Sequence, residues 1–170
     1  KYFEKVFLSR LGVGMNQLTK IDNRKILLIV SCSNVIPLKR VDLLAQTLSL
    51  IKDTSIKWVH FGDGILLEAI KQLCAEILSS NVDFEFKGRI ENSKVIEYYC
   101  TTNPDLFINL SCSEGIPVSI MEAMSFGIPV IATDAGGTSE IVNSKNGFLL
   151  SSNPKPEHVA QVIHEFNNFN

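Results

Sequence analysis

The chain has 170 residues, of which 45% are hydrophobic and 20% charged, and its formal net charge at pH 7 is −2. This length is typical of one domain and this hydrophobic share suffices for a conventional core, which excludes a disordered chain and a disulfide-stapled miniature scaffold. Lysine and arginine are scattered along the chain, so no clustered basic surface for nucleic acid or anionic lipid is expected.

The cysteines lie far apart inside apolar runs and form no C-x-x-C pair: Cys32, Cys74, Cys100 and Cys112. This spacing favours reduced core thiols in a cytoplasmic protein over a disulfide framework. No signal peptide precedes Lys1, and the longest apolar run, residues 26–30, is far shorter than the roughly 20 residues of a membrane span. Because the chain begins at a lysine, we interpret it as a fragment of a longer protein.

The chain is predicted to open with a short helix and a linker over residues 1–24, where Gly12 and Gly14 interrupt a helical spacing of apolar residues. Short apolar runs then alternate with amphipathic segments. The predicted strands are residues 25–32, 56–61, 82–86, 106–110, 129–132 and 147–150. The predicted helices are residues 41–51, 66–78, 93–101, 119–126, 137–142 and 156–166, with Asn92 or Ser93 capping the third.

Strands that alternate with helices predict right-handed crossovers, a mainly parallel six-stranded sheet and helices on both faces. We therefore predict an α/β fold of three layers, a Rossmann-like domain over residues 25–170. Ligands of such folds bind beyond the carboxyl ends of the strands, where the strand order switches. The turns expected there carry most of the polar and glycine residues, at residues 33–34, 62–64, 88–90, 111–118 and 133–137.

Residues 111–142 read SCSEGIPVSIMEAMSFGIPVIATDAGGTSEIV and hold two glutamates, Glu114 and Glu122, with seven residues between them. Proline is favoured at the start of a helix, so a helix is predicted to begin near Pro117 and to run up to Gly127. Its first turn offers unpaired N–H groups and about half a positive charge, which suits a phosphate. The segment therefore predicts a site for a phosphate-bearing ligand.

The two glutamates predict different contacts. Glu122 has apolar neighbours in its helix, so its carboxylate needs strong hydrogen bonds, from the two hydroxyls of a ribose or, alternatively, from protein groups or water. Glu114 precedes the helix, where a carboxylate could orient sugar hydroxyls or stabilise positive charge on a sugar ring. The alternative for Glu114 is a macrodipole partner that contributes about 0.3–1 kcal/mol.

Other candidate residues follow the first and third predicted strands. The compact ammonium of Lys39 suits a diphosphate, although Lys39 and its neighbour Arg40 could equally be solvated. Asn34 could donate to a phosphate oxygen or cap its own turn. Arg89 and Ile90 could bracket a nucleobase or form an ordinary loop. The histidines have no partner at metal-ligand spacing, so we expect no metal.

These residues resemble the nucleotide-sugar-binding half of the family 4 retaining glycosyltransferases, enzymes with two Rossmann-like domains known as the GT-B fold. The resemblance covers residues 25–166. Its most specific part, SEGIPVSIMEAMSFGIPVIATDAGGTSEIV, is similar to the family's E-x7-E motif with a flanking strand and a Gly-Gly-x-x-Glu turn. The resemblance implies that Glu114 engages the donor sugar near its anomeric carbon, that Glu122 holds the ribose hydroxyls and that Lys39 contacts the diphosphate.

The same resemblance assigns Arg89 and Ile90 to the loop that borders the base. It assigns the phosphate and sugar to the backbone of Gly115, Ile116, Pro117, Val118 and Ser119. One position departs from the family, which commonly has Gly-Arg where this chain has Ser33 and Asn34. Arg40 stands in the place of a frequent glycine, and we expect it to be the candidate second cation for the phosphate.

The resemblance implies transfer of a sugar from a nucleoside diphosphate sugar to a saccharide or lipid-linked acceptor with retention, in surface polysaccharide or glycan synthesis. No cofactor and no metal are expected. The acceptor domain would lie outside this chain, so the isolated domain is expected to bind donor without completing catalysis. The full protein could associate peripherally with the cytoplasmic face of a membrane.

Two other functions remain open on the same fold. One is a non-catalytic nucleotide-sugar-binding module, because a fold does not fix function. The other is another GT-B enzyme, such as a sugar-nucleotide epimerase. A dinucleotide-dependent dehydrogenase is excluded, since the turn after the first strand, SCSNVIPL, lacks the G-x-G-x-x-G pattern.

Overall fold

The computed structural model describes residues 12–14 and 25–169. The helix and linker predicted over residues 1–24 lie outside the described residues, except for residues 12–14. The strands are β1 (Leu27–Cys32), β2 (Ile56–Phe61), β3 (Val82–Phe86), β4 (Leu106–Asn109), β5 (Val130–Thr133) and β6 (Gly147–Leu150). The α-helices are α1 (Val41–Leu50), α2 (Leu67–Ile77), α3 (Asn92–Thr102), α4 (Val118–Ser125) and α5 (Pro156–Phe169).

The strands form one sheet in the order β3-β2-β1-β4-β5-β6, and every neighbouring pair is parallel. The chain first winds outward from β1 to β3, then returns across β1 to β4 and winds outward in the other direction to β6. The direction switches between β1 and β4, so the loops that follow these two strands diverge and leave a crevice. The predicted parallel sheet is confirmed, and the switch point identifies the edge that positions a ligand.

Two apolar layers cover the two faces of the sheet, as the period of two along a strand requires. In β1, Leu27 and Ile29 pack on one side with α1, α2 and α5, while Leu28 and Val30 pack on the other with α3 and α4. Each fully buried side chain of this kind contributes about 1.5–3 kcal/mol. The three-layer α/β architecture predicted from the sequence is therefore confirmed.

Two local expectations need correction, and one short element was not predicted. The short helix expected at residues 137–142 is a 3-10 helix over Gly136–Glu140, and a further 3-10 helix at Pro37–Lys39 follows β1. The N-cap of α3 is Glu91 rather than Asn92 or Ser93, and it makes no side-chain capping bond. The positions of these short elements depend on contacts between loops that are distant in sequence.

The thiols are only partly in the core. Cys74 is buried and Cys32 is half-buried, whereas Cys100 and Cys112 are exposed, and all four are free. The core placement expected for Cys100 and Cys112 is therefore wrong. Burial in the apolar core raises the pKa of Cys74 to about 12. This thiol therefore stays protonated and acts as a small apolar side chain.

Candidate functional site

An open cleft of about 330 Å³ lies at the carboxyl ends of β1 to β4. It brings together seven of the residues that the sequence singled out: Asn34, Lys39, Arg89, Ile90, Glu114, Pro117 and Ser119. Its other lining residues are Cys32, Ser33, Phe61, Gly62, Asp63 and Val95. Sequence reasoning missed Cys32, Phe61 and Val95, because nothing in their apolar segments distinguishes the side chains that end at a strand edge.

The contact between Lys39 and Glu114 joins the two sides of the switch point. Lys39 Nζ lies 2.7 Å from Glu114 Oε1, and the two side chains are 20% and 11% exposed. Asn109 Nδ2 donates to the same carboxylate oxygen over 3.3 Å. Burial alone raises the pKa of Glu114, but the hydrogen bonds and the positive charge of Lys39 outweigh it, so the pKa lies below its usual value. Glu114 is therefore an ionised carboxylate at neutral pH.

The 3-10 helix at Pro37–Lys39 places the lysine at this point. The proline fixes its first turn and the Lys39 N–H bonds back to the Ile36 carbonyl over 3.0 Å. The Leu38 carbonyl accepts a bond of 2.9 Å from the N–H of Cys112, in the loop after β4. A backbone bond and an ion pair thus hold the two loops together across the crevice.

Arg40 has a different position from the one expected. Its backbone is left-handed, with φ 48° and ψ 45°, a conformation that glycine adopts without strain. Its guanidinium donates to chain acceptors behind the cleft: Leu110 O at 2.6 Å, Ser111 O at 3.3 Å, Ser152 O at 2.8 Å and Asn153 Oδ1 at 3.0 Å. Arg40 therefore ties the loops after β4 and β6 together, and the geometry does not support its expected role as a second cation for a phosphate.

The loop before α4 is shaped by the two glycines after β5. Gly136 has φ +56°, and a Cβ there would lie 1.9 Å from the Glu114 carbonyl oxygen. Gly137 donates its N–H to the Gly115 carbonyl over 2.8 Å, and a Cβ on Gly137 would lie 2.8 Å from Ile116 Cγ1. The backbone of Gly115 and Ile116 therefore rests on this turn. The sequence indicated a tight bend here but not the loop that it supports.

Helix α4 begins at Val118 with Pro117 as its N-cap, which confirms the predicted start. Pro117 and Ser119 line the cleft, whereas Val118 is 45% exposed outside the lining. No side chain caps this end, so the first N–H groups of the helix remain available to an acceptor.

Glu122 is half-buried in α4, beside the cleft rather than in its lining. Its Oε1 accepts a hydrogen bond of 2.9 Å from Asn92 Nδ2 at the start of α3. Burial, followed by the charge of Glu122, raises the pKa of Cys32 to about 11. The hydrogen-bond partner of Glu122 in the structure is thus a protein amide. The ribose contact stays a prediction.

Within residues 12–14 and 25–169, no group of three or more His, Cys, Asp or Glu side chains is arranged to hold a metal ion. The same part of the chain contains no helix with the length and apolar character needed to span a bilayer.

Known proteins match most of this chain. An O-antigen biosynthesis glycosyltransferase of Escherichia coli, WbnH, is 33% identical over 114 residues, which are 67% of this chain and 30% of that protein. A poly(ribitol-phosphate) alpha-N-acetylglucosaminyltransferase of Staphylococcus aureus is 26% identical over 140 residues, 80% of this chain and 27% of that protein. The chain thus spans about a third of the length of these relatives.

Solved structures share the architecture. A mutant of S. aureus TarM in complex with fondaparinux, alpha-GlcNAc-glycerol and UDP has a TM-score of 0.77 at 25% identity, over 92% of this chain and 31% of that chain. The lipopolysaccharide outer core galactosyltransferase WaaB has a TM-score of 0.76 at 20% identity, over 93% of this chain and 45% of that chain. At this identity WaaB supports the fold alone.

A family model covers nearly the whole described domain. The model described as "Glycosyl transferases group 1" matches residues 24–167, from three residues before β1 to near the end of α5. The matched region includes every strand and all the loops that form the cleft. This chain therefore belongs to the group 1 glycosyltransferases.

Proposed function

We propose that this chain is the donor-binding domain of a retaining glycosyltransferase that moves a sugar from a nucleoside diphosphate sugar to a saccharide or lipid-linked acceptor. The observation that carries the proposal is the Lys39–Glu114 pair, 2.7 Å apart beside the uncapped start of α4. A cation, a helix N-terminus and an ionised carboxylate then lie within one cleft. This combination suits a diphosphate joined to a sugar.

The proposed binding step exchanges one partner of Lys39 for another. When the diphosphate occupies the cleft, its oxygens draw the ammonium away from Glu114, and the start of α4 shares the negative charge. Glu114 then needs new donors, because an ionised carboxylate that is 11% exposed is costly without hydrogen bonds. The hydroxyl groups of the donor sugar would supply them.

The other end of the cleft accommodates the nucleoside. Arg89 and Ile90 border the cleft after β3, where they would meet the base. Glu122 would exchange the Asn92 amide for the hydroxyls of the ribose. Two neutralising features, Lys39 and the helix start, serve the diphosphate, so we propose that donor binding needs neither a metal nor another cofactor.

The names of the relatives support the substrate class. One relative is an O-antigen biosynthesis glycosyltransferase, another transfers N-acetylglucosamine to poly(ribitol-phosphate), and the TarM structure contains UDP. We propose that the full protein acts in surface polysaccharide synthesis on the cytoplasmic side of a membrane, with peripheral association. Acceptor recognition would then come from parts of the protein beyond this domain.

Calorimetry with UDP, GDP and their sugars tests the site directly. We expect one of these nucleotides to bind this chain, and we expect Glu122→Ala to weaken that binding at least tenfold by removing the ribose acceptor. Glu76→Ala, on an exposed part of α2, is the matched control and should bind as the wild type does. Absence of binding to every nucleotide, or unchanged binding by Glu122→Ala, would contradict the site assignment.

Product analysis of the full-length protein tests the transfer step. With the donor that binds and a panel of saccharide and lipid-linked acceptors, we expect a glycosylated product that keeps the anomeric configuration of the donor. An epimerised nucleotide sugar, or binding with no turnover at all, would contradict a transferase and favour the other functions of this fold.

A further inference from the structure

His60 is a buried histidine at the end of β2 that no step of donor binding described above uses. Its side chain is among the most enclosed polar groups of the domain, with the residue 1% exposed. Nδ1 lies 2.8 Å from Ser31 Oγ, and Nε2 lies 3.1 Å from the carbonyl oxygen of Ser33. The Ser31 hydroxyl in turn accepts a bond of 2.9 Å from Trp58 Nε1.

The chemistry of these partners defines the tautomer. A carbonyl oxygen only accepts, so Nε2 must carry the proton that it shares with Ser33. The indole of Trp58 only donates, so the single proton of the Ser31 hydroxyl is left to point at an unprotonated Nδ1. The three side chains form one directed series of hydrogen bonds, from Trp58 through Ser31 and His60 to the Ser33 carbonyl.

The surroundings keep the imidazole neutral. The rings of Trp58 and Phe86 lie 6.3 Å and 5.6 Å from the ring of His60, centroid to centroid. Burial lowers the pKa of His60 to about 4, although the bond to Ser33 opposes the shift. A neutral imidazole has one donor and one acceptor, and both have partners here.

The series of hydrogen bonds ends at Ser33, which lines the cleft. Ser33 and Asn34 line the cleft, and the Ser33 N–H bonds to the Phe61 carbonyl over 3.0 Å. Gly62 packs against the Ser33 carbonyl so closely, at φ +139°, that a Cβ would lie 1.8 Å from its oxygen. Strand β2 therefore holds both backbone polar groups of Ser33, its N–H through the Phe61 carbonyl and its carbonyl through His60 Nε2.

Asn34, next in the chain, is exposed, and its side-chain amide has no hydrogen-bond partner among the residues that the structure describes. An amide donor contributes to anion binding only when its dipole points at the ligand, whereas a full charge acts from many orientations. The turn at Ser33 and Asn34 carries no charge of its own. Its contribution must therefore depend on how firmly its backbone is oriented.

We propose that His60 is a positioning residue for the donor site. Through its Nε2–H bond to the Ser33 carbonyl, it orients the Ser33–Asn34 turn toward the phosphates of the ligand. The inference rests on the proposed function, because it assumes a diphosphate in the cleft. His60 itself lies behind the cleft wall and touches no ligand.

A matched pair of substitutions tests this role. His60→Gln can place an amide N–H near the position of Nε2, whereas His60→Met has a similar length and no donor. We expect His60→Met to weaken UDP, or the nucleoside diphosphate that binds, about five- to tenfold, which corresponds to one hydrogen bond. Binding of the matching nucleoside should change less than about twofold, because its base and ribose lie elsewhere. His60→Gln should restore most of the diphosphate affinity.

The ratio of diphosphate to nucleoside affinity separates positioning from general destabilisation, which would weaken both ligands together. An unchanged ratio in His60→Met, with the wild type binding normally, would overturn the inference and leave the proposed function intact. A wild type that binds no nucleotide would overturn both.

Nitrogen-15 NMR of the wild-type imidazole tests the hydrogen-bond direction without any variant. We expect a protonated Nε2 and an unprotonated Nδ1 throughout pH 5 to 8, the range in which an ordinary histidine titrates. The opposite tautomer would remove the donor to Ser33 and contradict the inference, even if His60→Met did not fold.

Discussion

Two adjacent cations at the switch point, Lys39 and Arg40, have opposite surroundings. Lys39 faces the cleft and has one close ionic partner, Glu114. Arg40 lies behind the cleft and donates to four acceptors of the chain, three of which are backbone carbonyls. A carboxylate on a side chain can release its partner to a ligand, whereas fixed carbonyls cannot turn away. The comparison indicates that Lys39 is available for binding and that Arg40 stabilises the loops.

Removal of the Lys39 charge should cause the largest loss of ligand affinity. Lys39→Met keeps the apolar stem and removes the charge, so diphosphate binding should weaken about 10- to 100-fold, the value of a hydrogen bond between charged groups. Calorimetry with the nucleoside diphosphate that binds the wild type measures this loss. Lys155→Met, at an exposed position beside α5, is the matched control and should leave the affinity unchanged. Equal losses in both variants would show a long-range charge effect rather than a contact.

Arg40 should show the opposite pattern, with stability lost and affinity kept. Arg40→Ala removes the hydrogen bonds to Leu110, Ser111, Ser152 and Asn153, and because part of that contact is solvent-exposed we expect a loss of about 2 kcal/mol in the free energy of unfolding. Arg40→Gly loses the same bonds but relieves the left-handed backbone, so it should be about 1 kcal/mol more stable than Arg40→Ala.

Urea unfolding of the two Arg40 variants measures the difference, and nucleotide titration tests the retained affinity. If Arg40→Gly bound the diphosphate as weakly as Lys39→Met, the guanidinium would belong to the ligand site and the distinction between the two cations would be wrong.

The sequence predicted the sheet well because strand formation is a local property. The segments of β2, β3 and β6 were predicted with their observed bounds, since short stretches rich in aliphatic, β-branched and aromatic residues between turn residues favour a strand. The helix start at Pro117 was equally local, because proline restricts its own backbone.

The site was only partly predictable, because its partners meet across the fold. Glu114 and Lys39 were chosen separately as ligand contacts, yet they are 75 residues apart and bind each other here. The acceptors of Arg40 lie up to 113 residues away, and Asn92, expected to cap its helix, donates instead to Glu122. Local patterns indicate which side chains can bind something, whereas the sheet order decides what each of them meets.

Acid should lower the free energy of unfolding, because buried His60 is neutral in the folded chain. Its pKa falls from an ordinary 6.5 to about 4 on folding, so between these values the unfolded chain binds a proton that the folded chain rejects. This contribution is fully present above the unfolded pKa and is lost as the pH falls toward the folded one. Between pH 7 and pH 5 the wild type should lose about 2 kcal/mol that His60→Gln does not lose.

Thermal or urea unfolding of both proteins across this range measures the difference. Glu114 also favours the folded state more at higher pH, since its pKa is lowered, but its loss occurs in more acidic solution, below the ordinary pKa of a carboxyl group. Subtracting the unfolding free energy of His60→Gln from that of the wild type at each pH removes the contribution of Glu114, which both proteins share. Parallel curves for the two proteins would show that His60 is protonated in the folded chain.

The Tyr99 hydroxyl differs from both Lys39 and Arg40, because it has no partner among the described residues, and its removal should have the smallest effect. The hydroxyl of Tyr99 is buried between the layers and has no hydrogen-bond partner in the part of the chain that the structure describes. Burial, together with the nearby Cys32 and Glu122, raises its pKa well above the usual value, so it stays protonated. Tyr99→Phe removes a desolvated group and should change the unfolding free energy by less than about 0.5 kcal/mol, or increase it.

Thr47→Val is the matched control for Tyr99→Phe. The Thr47 hydroxyl is equally buried but donates to the Leu43 carbonyl over 2.8 Å, so its removal should cost about 1 kcal/mol. Chemical denaturation of the two variants compares an unpaired with a paired buried hydroxyl in one core. A loss of 1 kcal/mol or more in Tyr99→Phe would mean that an ordered water satisfies the phenol beside Glu122, and that the wall between α3 and α4 is wetter than its apolar residues indicate.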